Sequence, residues 1–153
     1  MTTGVDWAAL AAGYEQAIPF SAFIGLQVKE ISPGQGTVVL PEGENTMNHV
    51  RSQHAGALFT AGEAASGAAF ISVFAERMAD VTPLAQTAEI SYKKIARGDI
   101  TATGRFERDP AEIFAELDRE GRVRFPIAVT LTDAEQNVVC EMSVEWYVRA
   151  KDA

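Results

Sequence analysis

"NHVRSQHAGALFTAGEAAS", Asn48 to Ser66, joins both histidines of the chain to a run of very small residues and sets one carboxylate, Glu63, inside that run. From about Ala55 to Ala79 the composition is Ala-rich and helix-forming. Gly62 and Gly67 each cost stability in a helix, so their presence predicts a close approach of another backbone. The small residues from Ala55 to Ala69 make this helix slim enough to be buried on most sides. A carboxylate there needs a partner or a chemical role. Burial would raise its pKa toward the range useful to a general base. A structural ion pair or an exposed helical position are the plainer alternatives.

The flanking sequence supplies the rest of an α+β domain. Trp7, Leu10, Ala11, Tyr14 and Ile18 lie at helical spacing behind Asp6 as N-cap, and Pro19 is expected to end that helix within an N-terminal segment 1–20. Gly25–Pro41 reads as a hairpin: "GLQVKEI" and "GTVVLP" joined by Ser32-Pro33-Gly34-Gln35. A polar loop runs from Glu42 to about Gln53.

After the long helix, Thr87–Ala96 reads as a strand. Ile100, Ala102, Gly104 and Phe106 alternate with polar residues, as do Val123, Phe125, Ile127, Val129 and Leu131. The clearest strand carries Val138, Cys140, Met142, Val144, Trp146 and Val148 on one face. Between the second and third of these strands, "DPAEIFAELDREG" predicts a helical insertion over 109–121. Asp109 is its N-cap, Pro110 its first residue, Glu112 the capping-box partner and Gly121 the stop. The order predicts one domain over 1–153: a curved antiparallel sheet wrapped around one mostly apolar helix.

Composition narrows the function classes. A net charge of −8 argues against a nucleic-acid partner, which needs a basic surface. Local basic groups exist, at Lys93, Lys94 and Arg97 and at Arg119, Arg122 and Arg124; solvated strand ends account for them as simply as a pocket for an anion. The single cysteine, Cys140, excludes an internal disulfide and reads as an inert core thiol. No basic start precedes an apolar run, and the apolar stretch Ala64–Ala75 is short for a membrane span. The expectation is a cytoplasmic protein without a membrane span.

His54 precedes the helix, so the Ala55 and Gly56 amides become first-turn donors at the positive end of its dipole. Such amides can polarise a carbonyl. Every helix start offers them, and a hydrogen-bonded structural histidine is the alternative for His54. His54 and Glu63 are nine residues apart, roughly two and a half turns and about 13 Å, and point to opposite sides. One chain does not readily bring them together; two chains in a symmetric dimer do. His49 and His54 are five apart rather than the four that align two ligands, so no metal and no cofactor are expected. Ser66 in "AASGA" lacks a nucleophile elbow, and "GQG" at 34–36 is a turn.

Asn48, His54 six residues on, a small residue, Gly56, and a carboxylate nine after the histidine together resemble the hotdog-fold acyl-CoA thioesterases, closest to the phenylacetate-pathway and 4-hydroxybenzoyl-CoA types. "ISYKKIARGDITATG", Ile90–Gly104, is similar to the strand pair that follows the helix in that family. The resemblance spans roughly Gly25 to Arg149. It implies Glu63 as general base or nucleophile, the Ala55 amide polarising the thioester carbonyl with Gly56 beside it, Asn48 positioning water or substrate, and His54 supporting the loop. Ser66 and Gly67 would line the substrate site, and Lys93 and Arg97 would meet coenzyme A phosphates.

The same resemblance implies a site completed by two subunits, in a homodimer or a dimer of dimers. Three positions depart from the family pattern. Ala55 replaces the first glycine of His-Gly-Gly, Arg51 stands where glycine is common, and Gly67 replaces a frequent Ser or Thr, leaving Ser66 as the nearest hydroxyl in sequence. The first two motivate an alternative, a non-catalytic acyl-CoA-binding or scaffold hotdog protein. A hotdog hydratase would generally carry a different histidine loop.

Overall fold

The computed structural model describes residues 4–152; residues 1–3 of the expected N-terminal segment, and residue 153, lie outside them. Asp6 caps helix α1, Trp7–Ala17, by accepting from the Ala9 amide at 3.0 Å. α1 ends before Pro19 as expected, with Ile18 extended, but Pro19 also begins a new helix. Its fixed φ suits a first helical position, and it opens a short helix α2, Pro19–Phe23. Strands β1, Gln27–Ser32, and β2, Gln35–Leu40, form the expected hairpin, with Gly34 at φ 75° in the turn.

The central helix α3 spans Ala55–Phe74 and ends in a 3₁₀ turn at Ala75–Arg77, earlier than its composition suggests. Strand β3 is correspondingly longer at its start, Val81–Tyr92, and stops before Lys93. β4, Ile100–Phe106, is followed by the inserted helix α4, Pro110–Glu120, and by β5, Arg122–Thr132, and β6, Val138–Ala150. The α4 caps are as read: Asp109 accepts from the Ala111 amide at 2.9 Å and Gly121 adopts φ 71°. Glu112 makes no return bond to Asp109 among the described residues.

The six strands form one antiparallel sheet ordered β1-β2-β4-β5-β6-β3. Bulges at Val28/Glu30, Ala85/Thr87 and Leu131/Thr132 bend the strands. The sheet wraps α3, and the architecture is the hotdog fold. α1 covers the β1 edge, where Glu15 accepts from the Val28 amide at 2.6 Å. β3 forms the other edge.

Small residues set the distance between helix and sheet. Ala61, Ala64, Ala65, Ala68 and Ala69 are buried on α3. Facing them, Gly36 and Gly104 pair directly across β2 and β4. A Cβ on Gly104 would lie 2.6 Å from the Ala65 carbonyl oxygen, and one on Gly36 would lie 2.5 Å from the Ala69 nitrogen. The close backbone approach therefore occurs at strand glycines. Gly62 and Gly67, expected to meet a backbone, meet side chains instead: Met142 at Gly62 and Tyr14 at Gly67. At the far end of α3, Phe70 stacks on Phe74 and Trp146, each at 4.5 Å between centroids, and Phe125 joins the stack. Ile113 and Leu117 of α4 are buried in the same core.

The span Ala55–Arg77 is long and apolar enough to cross a membrane, longer than the stretch Ala64–Ala75 singled out from sequence. It is the buried core helix of the fold.

Candidate active site

The loop before α3 is built from its own polar groups. Asn48 Oδ1 accepts from the Val50 and Ser52 amides, both at 3.0 Å, and its Nδ2 donates to Ser52 Oγ at 2.8 Å. Arg51 adopts φ 61°, the left-handed conformation that glycine takes without penalty. Its guanidinium pairs with Glu44 at 2.7 Å in an exposed position. The loop closes onto the protein through Gln53, whose backbone amide donates to Ala96 O at 2.8 Å and whose side-chain Nε2 donates to Pro41 O and Gly98 O.

His54 is the N-cap of α3. Its backbone is extended, at φ −66° and ψ 140°, and Nδ1 accepts from the Gly56 amide at 2.8 Å. That bond requires Nδ1 to be unprotonated, so the neutral ring carries its hydrogen on Nε2. It also occupies the Gly56 amide, while the Ala55 and Ala57 amides of the first turn have no acceptor among the described residues. Tyr92 Oη, at the end of β3, donates to the Ala55 carbonyl at 3.1 Å.

Glu63 sits eight residues beyond Ala55, roughly 12 Å along the helix axis, so one chain does not offer both groups to one carbonyl. Its side chain is half-buried, and burial raises the carboxyl above its ordinary range. Among the described residues no cation pairs with it. Ser66 is fully buried and turned to the sheet, donating to Glu63 O at 2.7 Å and accepting from Trp146 Nε1 at 3.3 Å. Gly67 lies beneath Tyr14, whose Oη donates to Ala64 O at 2.9 Å.

Lys93 and Arg97 lie beyond β3 and are exposed. Lys93 reaches Glu141 at 3.3 Å, and Arg97 donates to Arg51 O at 3.4 Å. A hollow of about 400 Å³ lined by Asn48, Ala55, Leu58, Tyr92, Lys93 and Lys94 opens on one side of the first turn of α3. A second, of about 280 Å³ and lined by Phe20, Ile24, His54, Gly56 and Thr60, opens on the other. A larger hollow of about 570 Å³ lies at the β1–β2 turn and α4, away from this turn. Within one chain the structure thus gathers Asn48, His54, Ala55, Gly56 and Lys93 around the start of α3. Glu63 and Gly67 stand farther along it, and Ser66 belongs to the core.

A family model described as a domain of unknown function, DUF4442, matches residues 7–148. The chain belongs to this family. No curated protein matches it. Solved structures do. PA5026 of Pseudomonas aeruginosa, described as a protein of unknown function and probable thioesterase, is similar at TM-score 0.84 and 27% identity, with 94% of this chain and 95% of that one covered. The thioesterase SAV0944 of Staphylococcus aureus is similar at TM-score 0.70 and 14% identity, covering 86% and 99%. The E. coli PaaI protein, from the phenylacetic acid degradation operon, is similar at TM-score 0.69 and 17% identity, covering 89% and 87%. The last two establish the fold alone. This DUF4442 chain is a hotdog protein of the thioesterase-like kind.

Two hydroxyls at the site were not singled out from sequence. Tyr14 is 50 residues from its acceptor and Tyr92 is 37 from its own. Tyr14 is visible in sequence only as part of an apolar helical stripe.

Proposed function

We propose that the protein hydrolyses an acyl-CoA thioester to the free acid and coenzyme A, at a site shared by two copies of the chain. The observation that carries this reading is Glu63: a half-buried carboxylate on the core helix, raised by burial and without a cation partner among the described residues. Such a group is poised to take a proton from water. The other half is the start of α3, where the Ala55 amide is open and points along the positive end of the helix dipole.

In the reaction, the thioester oxygen accepts from the Ala55 amide of one subunit, and Glu63 of the other removes a proton from water. The water oxygen forms a bond to the carbonyl carbon, and the carbonyl electron pair moves onto the oxygen held by Ala55. Collapse of this intermediate breaks the C–S bond. The thiolate leaves and recovers the proton from Glu63. Direct attack by the Glu63 carboxylate is the other route to the same products.

His54 holds the turn by capping Gly56, and Asn48 holds the loop with its carbonyl oxygen while its second Nδ2 hydrogen has no acceptor among the described residues and is available to substrate. Lys93 and Arg97, with Lys94, are exposed near the hollow beside Ala55 and suit the phosphates of coenzyme A. The edge strand β3 supports a dimer: it is twelve residues long, carries exposed Leu84 and Tyr92, and has Glu89 as its single charge. A dimer or a dimer of dimers in the cytoplasm fits this reading.

The test is release of free thiol from a panel of acyl-CoA esters. Glu63→Gln should lower turnover by orders of magnitude. Ala55→Pro is an independent probe. It deletes the one amide, proline is favoured at the first helical position, and His54 already holds the extended conformation that a following proline requires. Loss of one such donor costs roughly 100- to 1,000-fold in kcat. Acyl-CoA binding without turnover would favour the non-catalytic alternative.

A further inference from the structure

Gly67 lies one helical turn after Glu63 on the same face of α3, and the space its side chain would fill holds a phenol from another element. A Cβ on Gly67 would collide with Tyr14 Oη and lie 3.3 Å from Cζ. Residues four apart on a helix have Cβ atoms about 5–6 Å apart, so Oη stands within reach of the Glu63 carboxylate through one water. The phenol hydrogen is already committed, because Oη donates to Ala64 O at 2.9 Å. That bond fixes the rotor and leaves only acceptor lone pairs to face the site. The proximity is electrostatically felt: burial first, and then the Glu63 charge, hold the phenol pKa well above its usual range. Tyr14 therefore stays protonated and neutral beside Glu63.

We infer that Tyr14 orients the attacking water, accepting one of its hydrogens at Oη while Glu63 takes the other. With both hydrogens held, the remaining oxygen lone pair is aimed at the thioester carbon. The proton accepted by Glu63 is the one later returned to the departing thiolate. The hydrogen facing Tyr14 stays on the oxygen and leaves with the carboxylic acid, so Tyr14 neither gains nor loses a proton. The glycine at 67 follows from this placement, since any side chain there would displace the hydroxyl.

This inference rests on the thioesterase reading, and the experiment separates the two. Steady-state thiol release is measured for wild type, Tyr14→Phe, Glu63→Gln and the double variant Tyr14→Phe/Gly67→Ser, using the acyl-CoA ester that wild type turns over fastest. Tyr14→Phe retains the ring and should lower kcat about tenfold, the effect of one lost hydrogen bond, with KM unchanged. Removing Oη frees the place beside Gly67, and the serine hydroxyl in the double variant should restore most of kcat. Wild-type kcat in Tyr14→Phe, a change confined to KM, or a loss that serine does not restore would overturn the role of Tyr14. Wild-type turnover in Glu63→Gln, or no turnover of any ester by wild type, would overturn the thioesterase reading and this role with it.

Discussion

Replacing Gly104 with alanine adds one methyl group at a contact between sheet and helix backbone too tight for any Cβ. The new Cβ would stand 2.6 Å from Ala65 O, 2.9 Å from Ala65 C and 3.1 Å from Ser66 N. Ordinary contact for such a carbon begins at 3.4 Å, so the shortest of these must open by 0.8 Å (3.4 − 2.6). The opposing atoms are backbone of a buried helix and cannot swing aside; α3 must retreat or the sheet must bow. Overpacking of this kind costs about 1–3 kcal/mol, and the rigid partner places Gly104→Ala at the upper end. For a domain of this size that is a fall in Tm of roughly 6–12 °C.

Gly13→Ala is the matched control. It makes the same chemical change in the middle of α1, where a Cβ meets nothing within 4 Å. There alanine should stabilise by about 0.5–1 kcal/mol through helix propensity. Thermal and urea unfolding of the two variants should move in opposite directions from wild type. A Gly104→Ala protein as stable as wild type would refute the claim that paired glycines set the spacing of helix and sheet.

Three further outcomes follow from the same structure. His54→Ala removes the α3 cap and should cost about 1 kcal/mol in urea unfolding, most of it retained by His54→Asn. Burial raises the folded-state pKa of Glu63, so its contribution to stability is present when the carboxyl is protonated and is lost as pH rises through the folded value. Glu63→Gln should therefore match wild type in Tm below about pH 4 and exceed it at neutral pH. Cys140 is fully buried and its thiol is pushed up to about 11, so thiol reagents should label it only after unfolding.

Much of the fold is legible in the sequence because the signals are local. Alternation along β5 and β6 depends on each residue and its second neighbour, and Val123 to Leu131 are buried as their period requires. Asp109 and Gly121 bound α4 through bonds within one helical turn. Pro19 is harder, since a proline that ends one helix can begin another. The start of β3 is obscured because Val81–Gln86 carry a proline and a bulge, and their pairing with β6 lies far along the chain.

The site divides in the same way. The His54 cap lies within two residues of its donor, and the left-handed Arg51 accounts for a loop position where glycine is common. Ser66 and Tyr14 could not be placed from spacing. Whether a hydroxyl on or over a slim helix faces the sheet or the carboxylate depends on which element packs above it. Trp146 claims Ser66, and α1 delivers Tyr14 from fifty residues away.

The central claim is that Glu63 and the Ala55 amide of different chains form one site. Mixing two inactive variants, Ala55→Pro and Glu63→Gln, by joint unfolding and refolding tests it directly. In a mixed dimer one site carries both defects and the other carries none. Random pairing of equal amounts should thus restore thiol release to about a quarter of wild type. Activity no higher than that of either variant alone would contradict a site shared between subunits.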